Sequence, residues 1–333
     1  MIKMVNMKKL IIIPIIILTF SVFAYSNDAR APEWMNYTIG ARAVALGQAF
    51  AAFADDATTA FNNPAGLSNI IRDEDGHRWW ISGTFGLMPD KRYLGAFSTS
   101  TKFKKLAVGI SGIYTNGMDL LNADRNPADS QRDYAFMPII SLGSVLPDNE
   151  TIAFGGNIKF FKSKTDNIKA SGFAFDIGGY IAVINMISIG VFVKNIGYIK
   201  YEDRDARFIA PTVSAGIGYN PLSRRNFAFC IHIERDTGSS NAKFIGSGGL
   251  FIALWTQDYM TGVSSDSPVD ETPASRKRTI YHNAIHLNLG FHGKEFSCGL
   301  TFSLFGFKLD YAFVIHTTEK NKYSHLFTLE KRF

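Results

Sequence analysis

From residue 78 onward, apolar and polar positions alternate with a period of two. In 295–304 the even positions are Phe296, Cys298, Leu300, Phe302 and Leu304, and the odd ones are Glu295, Ser297, Gly299, Thr301 and Ser303. Phe307, Leu309, Tyr311, Phe313 and Ile315 alternate with Lys308, Asp310, Ala312, Val314 and His316. Ile285–His292, Phe227–Glu234, Val213–Tyr219 and Ile187–Lys194 repeat the scheme. Successive side chains of a strand point to opposite faces, so each segment has one apolar face and one polar or small-residue face. A half-buried strand of a soluble sandwich gives the same signal, and repetition is what separates the two. About 14 such segments follow one another, many near the 9–11 residues of a tilted membrane strand. They fall near 78–86, 93–100, 105–115, 133–146, 150–162, 168–182, 186–195, 208–219, 226–234, 243–255, 284–292, 295–305, 307–316 and 323–333. The expected fold is all-β: a transmembrane antiparallel barrel whose apolar faces meet lipid.

The first residues read differently. Met1–Lys9 is short and basic, Leu10–Ala24 is an apolar run of 15 residues, and Val22-Phe23-Ala24 offers a small-residue cleavage site. That is the three-part pattern of a secretory signal peptide. A permanent helical anchor needs about 20 apolar residues. No Cys follows the run, so no lipid anchor on Cys is expected. After Ala24 the longest uncharged stretch, Tyr180–Val193, is interrupted by Asn185, Ser188 and Gly190, which speaks against helical spans.

Between the signal and the first strand, Gly40–Phe53 is Ala-rich and reads as a short helix. Asp55-Asp56 is placed to cap a turn beginning near Ala57, and Pro64 and Gly66 end it. A piece this small needs another surface to fold against, and inside a wide barrel it would be a plug. The expected division is a signal peptide at 1–24, a hatch at 25–76 and a barrel at 77–333.

Three stretches here, Gly40-Ala41-Arg42-Ala43-Val44-Ala45-Leu46-Gly47, Ala54-Asp55-Asp56-Ala57-Thr58-Thr59-Ala60 and Asn63-Pro64-Ala65-Gly66-Leu67, resemble the opening of the PorV/PorQ family of FadL-like outer-membrane proteins. Leu309-Asp310-Tyr311-Ala312-Phe313 resembles that family's penultimate-strand motif. The resemblance covers about a tenth of the chain. It implies a barrel of about 14 strands occluded by an N-terminal helical hatch in the lumen, with Asn63, Pro64 and Ala65 in the hatch motif. Its FadL branch implies passage of long-chain fatty acids or other hydrophobic molecules. Its PorV branch implies a scaffold that binds exported proteins in type IX secretion, through loops such as Asn116–Arg132 and Gln257–Arg278. The final strand, with Tyr323, Phe327 and Leu329 on the face of the terminal Phe333, resembles the signal read by barrel-assembly machinery. Lys331 and His325 depart from it.

Composition and charge change the picture in one respect. The 333 residues are 46% hydrophobic and 19% charged, with a net charge of +6. Lys3, Lys8 and Lys9 lie in the first 24 positions, which hold no acid, so the rest of the chain carries only +3. Nucleic-acid binding loses its main support.

Catalytic chemistry finds no purchase. The seven His form no H-E-x-x-H, and His282 and His286 lack a third ligand. Gly246-Ser247-Gly248-Gly249 lacks the dinucleotide fingerprint, and no G-x-S-x-G is present. No cofactor or metal is expected. Cys230 and Cys298 fall on opposite faces of the wall, so no disulfide between them is expected. Lumen-facing charges are Lys159, Asp176, Lys194, Glu234, Lys308 and Asp310, read first as salt-bridged or solvated contacts. More sharply, Lys159, Lys194 or hatch Arg42 could hold an anionic head group, and Asp310 could pair with Arg42 or Lys308 to hold the hatch. Pro138 lies inside a strand of a barrel with no edge, where its missing N–H reads as a strand end, a bulge or a poorly paired site, or, more sharply, as a local gap through which substrate leaves sideways.

The expected protein is a passive outer-membrane transporter of hydrophobic compounds, with the secretion scaffold as the rival. One point resists this topology. With both termini periplasmic, the long segment Gln257–His282 falls on the periplasmic side, where short turns are usual. Either Lys243–Trp255 is a hairpin around Gly248-Gly249, or the long segment covers the inner mouth.

Overall fold

The computed structural model describes residues 31–71, 78–89, 92–118, 132–147, 149–165, 168–184, 186–202, 204–219, 227–237, 244–260, 280–317 and 323–333. The expected signal segment 1–24 and the loop stretches 119–131 and 261–279 lie outside these residues. Among the described residues the strands are β1 (Trp79–Met88), β2 (Arg92–Phe103), β3 (Leu106–Met118), β4 (Arg132–Leu146), β5 (Asn149–Thr165), β6 (Ile168–Ile184) and β7 (Ile187–Tyr201), followed by β8 (Arg207–Ile209), β9 (Thr212–Tyr219), β10 (Phe227–Asp236), β11 (Ile245–Met260), β12 (Ile280–His292), β13 (Glu295–Leu304), β14 (Phe307–Ile315) and β15 (Tyr323–Arg332).

Consecutive strands pair antiparallel, and β15 pairs with β1 from Trp80↔Arg332 to Leu87↔His325, so the sheet closes on itself. β8 and β9 both lie on β7 and act as one strand broken at Ala210-Pro211, which makes a ring of 14. The sequence pattern reads 208–219 as one strand. Pro211 breaks it because it has no N–H to give, and its carbonyl is taken by the backbone N–H and hydroxyl of Thr237. Closure leaves no free edge, which is what a sheet spanning lipid requires.

The parity read from the sequence is the observed one. Phe85, Phe97, Ile110, Phe154, Phe173, Ile231, Phe302 and Phe327 are exposed on the outer wall, while Ser82, Thr84, Ser98, Ser111, Asn157 and Thr328 are buried inside. The apolar faces do not meet one another, as a soluble sandwich would require. Cys230 is buried on the lumen side and Cys298 lies on the outer face, both free.

The hairpin at Gly248-Gly249 does not form. Both glycines lie inside the β10–β11–β12 ladder, at Cys230↔Gly249 and Gly249↔Gly290. The hatch presses on the wall at Gly249, where a Cβ would fall 2.8 Å from the Leu46 Cβ, and a Cβ on Gly248 would fall 2.6 Å from the Phe291 ring of the next strand. β11 instead runs on to Met260, so the 261–279 connection joins the ends of β11 and β12 at the end of the barrel that also holds Trp79 and Arg332. That end is called the terminal end below, and the opposite one the far end.

Residues 31–71 fill the lumen. They comprise a 3-10 turn at Glu33–Asn36, helices at Ala41–Ala45 and Thr59–Asn62, a 3-10 turn at Pro64–Leu67 and a last helical turn at Ser68–Ile71. The Ala-rich helix is shorter than its composition suggests. Gly47 and Gln48 both adopt left-handed φ, at 63° and 61°, and turn the chain back. Met35, Ile39, Phe61 and Val44 pack with the inward Leu94, Ile113, Met137, Ile139, Phe161, Ile199 and Ile209 in one apolar cluster toward the far end. Leu67 and Ile70 pack with Trp80 and Ala107 toward the terminal end.

Candidate functional site

Irregular backbone inside a barrel must find hydrogen-bond partners, and here the wall supplies them. The Ala41 N–H donates to Thr328 Oγ1 (2.8 Å) and the Ala57 N–H to Glu330 Oε2 (3.1 Å). Asn157 Nδ2 donates to the Ala60 carbonyl (2.8 Å), Ser188 Oγ to that of Ala52 (2.8 Å) and Ser297 Oγ to that of Ala45 (3.1 Å). The motif residues Asn63, Pro64 and Ala65 are fully buried. Asn63 adopts an extended conformation, its Oδ1 accepts from the Ala65 N–H (3.1 Å), and its Nδ2 reaches the carbonyls of Ala51 (2.9 Å) and Gly179 (3.2 Å). The wall opposite is a row of glycines, Gly143↔Gly155↔Gly178. A Cβ on Gly155 would run into the Pro64 backbone, and one on Gly178 into the Asn63 side chain. The three motif residues are therefore structural contacts of the hatch with the wall.

A charged cluster ties the other side of the hatch to β14 and β15. Arg42 pairs with Asp55 (2.6 Å) and lies 3.8 Å from Asp56. Lys308 reaches Asp56 (3.2 Å), Asp310 (3.4 Å) and Glu330 (3.5 Å). Arg332 pairs with Glu330 (2.7 Å) and donates to the Asp55 carbonyl (3.0 Å). Burial alone would push the Asp56 carboxyl up. Lys308, Arg42 and two hydrogen bonds from Thr58 outweigh it and hold the pKa down at about 2. Burial likewise works against the Arg42 charge, and Asp55 and Asp56 more than restore it, so its pKa is raised. The Arg42 guanidinium also lies over the rings of Phe50 (5.4 Å) and Phe251 (5.6 Å). Asp310 is bound by Lys308 and by the Thr301 hydroxyl (2.6 Å), so of the two partners expected for it the one it pairs with is Lys308.

The second cluster is built by an irregularity in the wall. Between β6 and β7, Phe175 pairs with Ile196 and Ile177 with Val193, so Asp176 faces two residues, Lys194 and Asn195. This is a bulge, and Asn195 carries it at φ 64°, a conformation that asparagine tolerates. Its effect is to turn both Lys194 and Asn195 inward, where they are 5% and 0% exposed. Asp176 accepts the Asn195 N–H (2.9 Å), Asn157 Nδ2 (2.8 Å) and the Lys159 ammonium (2.7 Å). Lys159 also donates to Asn195 Oδ1 (3.0 Å), and Asn195 Nδ2 donates to Asn36 of the hatch (2.7 Å).

Of the three cations expected as head-group partners, Arg42 and Lys159 are thus committed to carboxylates. Lys194 is not. Its ammonium lies 4.7 Å from the Phe192 ring centroid and makes no ion pair or hydrogen bond among the described residues. Glu234, on the neighbouring wall, is engaged by the Ser214 hydroxyl (3.1 Å) and faces His232 (3.8 Å).

Pro138 interrupts the wall beside this cluster. Phe136 pairs with Lys162 and Ile139 with Lys159, with no pairing between them, while the register is kept. It is a poorly paired site, an in-register gap in the β4–β5 pairing, and not a bulge. On the other side Pro138 pairs with Gly112 in the usual way. Inward of the gap stand Met137, Ile139 and Phe161, all in the far-end apolar cluster, and Trp34 packs edge-on to Phe161 at 5.8 Å.

Sequence reasoning placed Lys308 and Asp310 in the lumen but not Asp56 and Glu330, the other partners of Lys308, nor Arg332, which pairs with Glu330. Glu330 alternates with the outward Leu329, so its inward direction was available from the pattern. The bulge was not: period-two reading puts Lys194 and Asn195 on opposite faces. The side chain of His282 lies outside the described residues, and His286 packs edge-on to Phe251 at 5.3 Å.

No family model and no curated protein matches the sequence significantly. Solved structures do match the fold. The monoaromatic hydrocarbon channel CymD superposes with a TM-score of 0.58 at 10% identity, over 89% of this chain and 97% of that one. The toluene transporter TbuX of Ralstonia pickettii gives 0.54 at 11% identity, over 89% and 98%. A FadL homologue from Pseudomonas aeruginosa gives 0.55 at 10% identity, over 92% and 99%. These likenesses concern the FadL side of the sequence resemblance and not its PorV/PorQ side. The chain has the fold of FadL-like barrels.

Proposed function

We propose that the protein is a passive outer-membrane passage for hydrophobic molecules, and that it accepts amphiphiles with an anionic head group, long-chain fatty acids among them, as well as uncharged hydrocarbons. The observation that carries this is the conjunction on one side of the lumen of an apolar cluster, an interrupted strand ladder at Pro138 and a buried ammonium at Lys194 that lies over Phe192 and makes no ion pair or hydrogen bond among the described residues. With the terminal end in the periplasm, the far-end cluster lies toward the cell exterior. There Met35, Ile39 and Trp34 of the N-terminal segment occupy the space that an acyl chain or ring would take. Displacing that stretch would expose Met137, Ile139 and Phe161 to the entering molecule. Its head group would sit at Lys194, while Lys159, held by Asp176, keeps the bulge in shape. The gap beside Pro138 would let the molecule leave sideways into the bilayer, which is the favourable direction for apolar surface. No step needs ATP or covalent chemistry.

The test is mass spectrometry of hydrophobic molecules retained by the detergent-purified protein, wild type against Lys194→Gln and Arg42→Ala. Wild type should retain both acidic and neutral molecules. Lys194→Gln should lose the acidic ones and keep the neutral ones, and Arg42→Ala should not discriminate between them. A wild-type protein that is empty in repeated preparations and pulls down exported proteins would replace this reading by the secretion scaffold.

A further inference from the structure

Near the far end the outer wall of β5, β6 and β7 carries three successive rows of side chains. The first is aromatic: Phe160↔Phe173, Phe173↔Tyr198 and Tyr198↔Phe208, with ring centroids 6.0 Å apart for Phe173–Tyr198 and 5.4 Å for Tyr198–Phe208. Two residues further out lies Lys162↔Ser171↔Lys200, and two further again Lys164↔Lys169. The alternation fixes the direction of all four lysines, because their neighbours Phe161, Ser163, Ala170 and Ile199 are buried inside. Among the described residues one acid pairs with them: Glu202 lies 3.3 Å from Lys169, both well exposed. Lys162, Lys164 and Lys200 make no ion pair or hydrogen bond among the described residues.

Aromatic girdles mark the level where the hydrocarbon ends and head groups begin. The lysines stand one and two rows beyond the girdle, on the side that faces lipid and not the lumen. Adjacent strands are about 4.8 Å apart and alternate residues about 6.8 Å, so the four side chains rise from a patch of roughly 10 Å by 7 Å. Three ammonium groups that make no ion pair among the described residues, at that spacing, match two phosphates on one molecule better than a single charge.

We propose that Lys162, Lys164, Lys169 and Lys200 form a binding site for the phosphate groups of a bisphosphorylated glycolipid of the outer leaflet, whose acyl chains lie on Phe160, Phe173 and Tyr198. The site is independent of the passage inside the barrel. It sits against the strand that borders the Pro138 gap, so a bound lipid would fix the bilayer at that point of the wall.

The test is native mass spectrometry of the full chain in neutral detergent, titrated with bisphosphoryl lipid A, with its dephosphorylated form and with phosphatidylglycerol. Bisphosphoryl lipid A should bind, and removal of its phosphates should weaken binding at least tenfold. The quadruple variant Lys162→Gln, Lys164→Gln, Lys169→Gln, Lys200→Gln should weaken it at least tenfold with an unchanged β-sheet circular dichroism spectrum. The same four positions changed to Arg should keep it, and Lys102→Gln with Lys104→Gln at the opposite rim should leave it unchanged. Equal binding by the folded Gln variant, or equal binding of the dephosphorylated lipid, would overturn the site. Phosphatidylglycerol held as tightly as lipid A would overturn the assignment to a bisphosphorylated lipid.

Discussion

Lys194 and Lys159 are both lumen lysines at the same bulge, yet their surroundings give them different roles. Lys159 has a carboxylate at 2.7 Å and an amide oxygen at 3.0 Å, and removing it would leave Asp176 buried beside the hatch without its cation. A loss of about 3 kcal/mol is expected for Lys159→Met, seen as a lower unfolding temperature. Lys194→Gln removes no ion pair, so thermal stability should hold while affinity for a long-chain carboxylate falls about tenfold or more, as for a lost charge-assisted hydrogen bond. Isothermal titration with a fatty acid and with an uncharged alkane separates the two effects. Equal loss for both ligands would remove Lys194 from head-group recognition. At the other cluster the carboxyl of Asp56 is held at about 2 against an ordinary 3.8. A depressed carboxylate stabilises the folded form above its unfolded pKa, and the contribution, roughly 2 kcal/mol, is lost as pH falls from about 4 to about 2. Pepsin cleavage within 41–67 should therefore rise over that interval, and Asp56→Asn should be cleaved throughout it. Protection of the wild type down to pH 2, with no difference from Asp56→Asn, would show that Asp56 does not hold the hatch.

At the scale of elements, the wall strands were readable because a side chain's direction follows from parity alone. The alternation located all fourteen staves to within a few residues, together with the inward direction of Lys159, Asp176 and Asp310. Three features escaped it, each where something outside the strand's own pattern decides. Pro211 splits β8 from β9 through backbone chemistry, the Lys194–Asn195 bulge adds one residue to one strand, and Gly47-Gln48 end the first hatch helix by a left-handed turn. Glycines were legible as a group inside strands, but the reason for several of them, Gly143, Gly155, Gly178, Gly190, Gly249 and Gly290, lies in the hatch. Gly155 stands where Pro64 and Ala65 touch the wall. Gly155→Val should thus fold as a barrel and displace the hatch, raising solute permeability in liposome-swelling assays. Permeability equal to wild type would mean that the wall and hatch can adjust to the extra bulk. Pro138→Val supplies the missing N–H to β4. Uptake of a hydrophobic tracer should fall several-fold with barrel assembly intact, whereas unchanged uptake would remove the gap from the route.

For the molecule as a whole, a net charge of +6 and 46% hydrophobic residues describe two surfaces averaged together. One faces outward, with Phe97, Ile110, Phe160, Ile177 and Phe296 exposed to lipid. The other faces a lumen packed by residues 31–71. Apolar area on the outer wall does for this chain what a buried core does for a soluble one, and the closed hydrogen-bond ring removes the edges that would otherwise be costly in hydrocarbon. The hatch is held at three places by different means: apolar packing at the far end, the glycine row at Asn63–Ala65, and the ion cluster of Arg42, Asp56, Lys308 and Glu330. On the proposed reading, a passage inside this wall would open when the first of these yields, since Met35 and Ile39 fill the cluster behind Pro138. The measurement that tests this most directly is uptake of a radiolabelled long-chain fatty acid by Gram-negative cells that lack their own fatty-acid channel and carry the full chain in the outer membrane. Uptake well above vector-only cells, reduced by Pro138→Val at equal surface expression, is the predicted result. Uptake equal to that of vector-only cells, with the folded barrel present in the membrane, would contradict the account.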